Sequence, residues 1–146
     1  MSLLALCLAL PLVAVATMHA YWAIGGVWPG TDAASCARAV VGFEGAGTMP
    51  PPAAGFAVAA VAIVMALVAL ALGGWYAEPI GPVQLAGMAL FAGFVLLGRG
   101  IVGFTPWWRR LTPLQPFARL DTRFYSPLCL ALGAGFVALA FAGFAA

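Results

Sequence analysis

Four apolar segments, free of charge except for Arg99 in the third, dominate the chain and separate its polar stretches. They run from about Leu3 to Ile24, Ala53 to Trp75, Val83 to Gly103 and Pro127 to Ala145. An α-helix rises about 1.5 Å per residue, so about 20 apolar residues cross the roughly 30 Å hydrocarbon layer of a bilayer. Each segment reaches that length. The pattern predicts an all-α membrane protein, an up-down-up-down bundle of four transmembrane helices, with residues 1–146 forming a single integral membrane domain. Four crossings return the chain to its starting side, so the first and third connections share the opposite face.

Helix punctuation agrees with these limits. Pro50, Pro51 and Pro52 precede the second span, Pro82 opens the third, and Ser126-Pro127 reads as an N-cap and first turn for the fourth. Proline is tolerated there because its missing N–H has no helical partner to lose. The Gly73-Gly74 pair and Pro79 mark a short turn between spans two and three. Span two carries Gly55, Ala59, Ala62, Ala66, Ala69 and Gly73 at alternating spacings of four and three, a small-residue stripe along one face. In lipid such stripes let backbones approach, since no hydrophobic drive separates helix from acyl chain. Gly135 and Gly143 in span four suggest a more local version.

The first span contains Pro11 and has no basic residue before it, and it stays apolar beyond the core of a usual signal peptide. It reads as a retained span, with cleavage near Ala20 as the alternative. The long first connection holds a segment from Thr31 to Val41 with the features of a short interfacial helix, capped by Thr31 or Asp32 and stopped by Gly42. The third connection, residues 104–126, is expected to carry a helical turn beginning near Asp121.

Composition sharpens this picture. A hydrophobic fraction of 65% with 7% charged residues leaves too little polar surface for a soluble globule. The six basic residues are all arginine, too few and too scattered for nucleic-acid binding. Asp32, Arg38, Glu44, Arg99, Arg109, Arg110, Arg119, Asp121 and Arg123 fall on the face of the first and third connections, and Glu78 falls on the other. The positive-inside rule then places those two connections in the cytoplasm and both termini outside, in a bacterial inner membrane. Trp75 and Tyr76 on one side, and Trp107 and Trp108 on the other, have the positions of interfacial anchors. Cys7, Cys36 and Cys129 form no Cys-x-x-Cys pair and read as small apolar residues.

Three polar groups reach the cytoplasmic mouth: His19 to Pro29 after span one, Arg99 near the end of span three, and Asp121 to Cys129 entering span four. His19, Trp22, Trp28, Arg99, Asp121 and Tyr125 are the candidate ligand-binding residues, surrounding one pocket. His19 is the best general acid or base and Asp121 its best orienting partner, which makes them the catalytic candidates if there is chemistry. Each has a plainer role. His19 can bond a neighbouring helix, Arg99 can snorkel to the headgroups, and Asp121 can cap a turn or pair with Arg99 or Arg123. Tyr125 can pack its ring and wet its hydroxyl, and Arg109 and Arg110 can anchor their loop to anionic lipid. No cofactor or metal is expected, because one histidine without a cysteine or carboxylate cluster cannot complete a usual zinc site, and no phosphate loop or serine elbow appears.

Two motifs carry a resemblance. His19-x-Tyr21-Trp22-x-x-Gly25-Gly26-x-Trp28-Pro29 ends the first span, and Pro116-Phe117-x-x-x-Asp121-Thr122-x-x-Tyr125-Ser126-Pro127-Leu128-Cys129 leads into the last. Together they resemble a family of small bacterial four-helix membrane proteins known only as a domain of unknown function. The resemblance implies that both motifs belong to one site and implies no substrate. Two functions remain open: a pocket for a small amphipathic or lipid-like ligand, or an accessory membrane subunit whose polar residues only clasp the loops. The expected partners are the bilayer and, beyond it, such a ligand, a membrane protein or further copies of the chain.

Overall fold

The structure, a computed structural model, describes residues 1–45, 47–77 and 80–145. Among them are four helices long and apolar enough to cross a membrane. These are α1 (Leu3–Ala23), α3 (Pro52–Leu72), α4 (Pro82–Val102) and the continuous helical stretch Phe117–Phe144, which ends in α7 (Ser126–Phe144); a short α2 (Ala33–Val40) lies in the first connection. The third connection holds α5 (Pro106–Leu111), α6 (Phe117–Leu120) and a π-helical turn, Asp121–Tyr125, that runs directly into α7. Glu78, expected on the opposite face from the other charges, lies outside the described residues, as does Pro79.

The helices associate as two close pairs, α1 with α3 and α4 with α7. The small-residue stripe explains the first. Ala59, Ala62, Ala66 and Ala69 are buried, and Ala69 is fully so. A methyl added to Gly55 would lie 3.0 Å from the His19 carbonyl oxygen, and one added to Gly73 would strike Ala5. The stripe is therefore occupied along its length by α1. In the second pair, Gly93 and Gly133 face each other so closely that a methyl on Gly133 would sit 2.9 Å from the Gly93 carbonyl oxygen. Gly100 approaches Leu130 in the same way, and Gly135 and Gly143 receive Leu8 and Leu72 from the other pair. Between α3 and α4 the seam is looser, leaving an apolar groove of about 560 Å³ walled by Val61, Val64, Met88 and Phe91.

Helix ends follow local chemistry. Pro52 and Pro82 occupy the first turns of α3 and α4. Pro11 lies within α1, which continues past it. At the far end of the bundle the Ser2 N–H donates to the Gly73 carbonyl (2.7 Å) and the Trp75 indole N–H to the Ser2 carbonyl (3.1 Å). The expected anchor Trp75 thus also ties the start of α1 to the end of α3. Ser126 departs from the expected N-cap role, since α7 does not start afresh there but continues from the π-helical turn. Its φ and ψ are helical, and its N–H donates to the carbonyl of Asp121, five residues back. Pro127 would clash with the carbonyl four residues earlier in a regular helix, and a widened turn relieves that crowding.

The α4–α7 contact is testable. Gly133→Leu should force these helices apart and lower stability by about 1–3 kcal/mol, as overpacked cores do. Gly98→Ala, where an added methyl meets nothing within 4 Å, should be neutral or stabilising by up to about 1 kcal/mol. Thermal unfolding in detergent, followed by circular dichroism, distinguishes the two.

Candidate functional site

The π-helical turn places Asp121 at the mouth of the bundle with its side chain fully buried. Both carboxylate oxygens are occupied. Oδ1 accepts from Arg99 Nη2 at 2.7 Å and from the Ser126 hydroxyl at 3.0 Å. Oδ2 accepts from the Trp108 indole N–H at 2.9 Å and from Arg109 Nη2. A carboxylate removed from water needs opposite charge and directed donors together, and here two guanidinium groups supply both. Arg99 also reaches the Ser126 hydroxyl, and its guanidinium carbon lies 4.9 Å from the centre of the Trp108 ring. Arg109 is fixed further by the Ala118 carbonyl (2.7 Å) and the Thr122 hydroxyl (3.0 Å).

This arrangement revises two expectations. Trp108 and Arg109, read as interfacial anchors, turn inward because α5 delivers both to Asp121. The helix is set by Thr105, whose hydroxyl accepts from the Trp108 N–H, and by Pro106 in the first turn. Thr-Pro is an N-cap and first-turn signal, so α5 was legible in principle. Trp107, on the other side of α5, is 62% exposed and keeps the disposition of an anchor.

Loop one rests on the same cluster. Asp32 caps α2 by accepting from the Ser35 N–H at 2.7 Å, and Ser35 answers by accepting from the Asp32 N–H, a reciprocal capping box. The Ser35 N–H holds the Asp32 carboxyl below its ordinary pKa, so the cap is present at neutral pH and is lost as pH falls through that lowered value. Gly42 ends α2 at φ +75°, and a side chain there would collide with the Phe117 ring. Phe43 packs edge-on to Trp108 at 5.9 Å, and the Tyr125 hydroxyl lies 3.5 Å from the Ala39 carbonyl.

His19 and Trp22 lie elsewhere. The His19 Nδ1 is 2.8 Å from the Val15 carbonyl, and its ring meets Trp22 in a T-shape at 5.1 Å. Both line a cleft of about 170 Å³, closed by Val40, Val41 and Met49 of loop one and by Ala54 of α3. Trp28 sits at its edge in sequence but not in its lining. Its carbonyl receives the Trp22 indole N–H at 2.6 Å and the Cys36 thiol at 3.6 Å. Burial pushes the Cys36 thiol pKa up, which keeps that donor protonated. Cys7 and Cys129 are likewise free thiols. Of the six candidate residues, then, Arg99 and Asp121 are bonded together, Tyr125 supports loop one beside them, and His19 and Trp22 share a separate cleft. Among the described residues no hydrogen bond or ring contact links His19 to Arg99, Asp121 or Tyr125.

Residues 12–136 match the family described as "Protein of unknown function (DUF3995)". The chain belongs to that family. Both motifs, with the carboxylate cluster and the cleft they build, fall inside the matched region of this DUF3995 member. No curated protein and no solved structure matches the chain.

The cluster predicts a graded mutational response. Asp121→Asn leaves two guanidinium groups without their counter-charge and should cost about 3 kcal/mol, the lower end for a broken buried pair because both arginines keep some exposure. Arg119→Gln and Arg123→Gln, both exposed, should stay within about 0.5 kcal/mol of wild type. Thermal melts of the detergent-solubilised variants measure the difference.

Proposed function

We propose that this integral membrane protein binds a small amphipathic molecule in the cleft between the end of α1, the start of α3 and loop one. The observation that carries the reading is the His19 cleft itself. Binding sites are mostly apolar with a few convergent polar groups, and this one is walled by valine, alanine, methionine and indole around a single imidazole. Its volume, about 170 Å³, exceeds the roughly 150 Å³ cavity that holds a benzene ring in an engineered protein core. A single ring or a short bent chain fits, with any longer tail leaving toward the bilayer.

In this reading His19 and Trp22 touch the ligand. Arg99, Asp121 and Tyr125 hold the mouth in shape, and Trp28 fixes the turn that presents Trp22. The Arg distribution supports a cytoplasmic position for loops one and three in a bacterial inner membrane, with both termini outside. A ligand would then enter at the inner leaflet.

The accessory-subunit reading has its own support. Four donors from within the chain occupy both carboxylate oxygens of Asp121, which supports the cluster as a clasp.

Ala54→Trp decides between them, because Ala54 lines the cleft yet is exposed and outside the core. Mass spectrometry of solvent extracts from purified protein should find a small amphiphile retained by wild type and lost from Ala54→Trp at unchanged melting temperature. Equal extracts from both proteins, beyond the lipid background, would leave the clasp as the function.

A further inference from the structure

The cleft's polar chemistry is one-sided. A carbonyl oxygen only accepts, so the 2.8 Å contact to Val15 requires that His19 Nδ1 carry a proton. In the neutral ring this leaves Nε2 with a lone pair, and among the described residues nothing donates to it. The other polar side chain of the lining, the Trp22 indole, has given its only N–H to the Trp28 carbonyl. Valine, methionine, proline, alanine and glycine make up the rest. With the ring neutral, no side chain lining the cleft therefore presents an unused donor, and none is Asp, Glu, Lys or Arg.

Resting on the binding site proposed above, we infer that its ligand is a neutral molecule whose head is a hydroxyl on a ring, a phenol or hydroquinone-type group, which donates its O–H to His19 Nε2. A ketone or quinone head would bring a second acceptor against Nε2 and find no unused side-chain donor in the lining. A carboxylate or phosphate head would meet no arginine in the cleft, because Arg99 and Arg109 are bonded to Asp121. The T-shaped Trp22 ring fixes the imidazole plane and adds an aromatic edge beside which a second ring can pack. No reaction takes place: the hydroxyl proton stays on oxygen and the contact is a hydrogen bond.

A matched pair of probes tests it. 4-Heptylphenol and 4-heptylanisole share ring and tail and differ only in whether the oxygen carries a proton. Binding to the full-length protein in nanodiscs is read by displacement calorimetry and by the 15N shift of His19 Nε2. The phenol should bind about tenfold more tightly than the anisole and move the Nε2 resonance. In His19→Phe, which keeps a ring of similar bulk, the preference should vanish while anisole binding persists. Equal affinity of phenol and anisole for wild type, with both lost in Ala54→Trp, would overturn the donor inference and leave the cleft as a binding site. Failure of both probes to bind wild type above Ala54→Trp would remove the binding site itself.

Discussion

A buried carboxylate at the edge of a bilayer must be neutralised and fully hydrogen-bonded, and the mouth of this protein is organised around meeting that demand for Asp121. Its donors come from the end of α4 (Arg99), from α5 (Trp108, Arg109) and from the first residue of α7 (Ser126). For α5 the cluster is the main tie, because that helix contains no buried residue of its own. Leaving any donor out would strand part of a charge in a poorly solvated place, which costs more than a lost neutral hydrogen bond. The π-helical turn belongs to the same solution. It begins at Asp121, and its wider register accommodates Pro127 while keeping Ser126 in reach of the carboxylate.

From that cluster the order passes outward to loop one. Trp108, held by Asp121, presents an edge to Phe43, and Phe117 of the same connection fills the space that Gly42 leaves open. These contacts fix the end of α2, and α2 continues into Val40 and Val41, which close one side of the His19 cleft. The cleft wall is thus positioned by a carboxylate that does not line it. Deeper in the membrane a different rule operates. Helices pair where side chains are absent, at Gly55 and Gly73 against α1 and at Gly93 and Gly133 between α4 and α7.

The spans, their order and the capped helix in loop one were legible because each leaves a local signature: apolar length, proline in a first turn, an acidic cap, a stopping glycine. The α3 stripe was legible for the same reason, since its spacing alone defines a face. What the sequence hid was pairing. Gly93 and Gly133 sit forty residues apart, and nothing local says that they oppose each other rather than lipid. The grouping of polar residues was harder still. His19, Arg99, Asp121 and Tyr125 end or begin spans at similar depth, which brings them to one face of the bundle, yet depth does not fix the azimuth around it. With α1 against α3 and α4 against α7, His19 turns toward α3 and Arg99 toward α7, and the expected single vestibule becomes a cluster and a cleft.

That separation bears on what each half can do. Asp121 has a donor for each of four lone-pair directions, so a substrate could reach it only by displacing a charged or indole partner that is itself packed in place. A saturated cluster of this kind orders structure well and binds newcomers poorly. His19 is the reverse case. Its Nδ1–H is satisfied within its own helix, which fixes the ring, its side chain lines an unfilled cleft, and among the described residues nothing donates to Nε2. A polar atom half-enclosed by apolar walls gains more from a partner than one in water, because fewer waters compete for it. If the two motifs of this chain serve one end, the first supplies the atom that is open to a ligand and the second supplies the rigidity that keeps its surroundings from collapsing onto it.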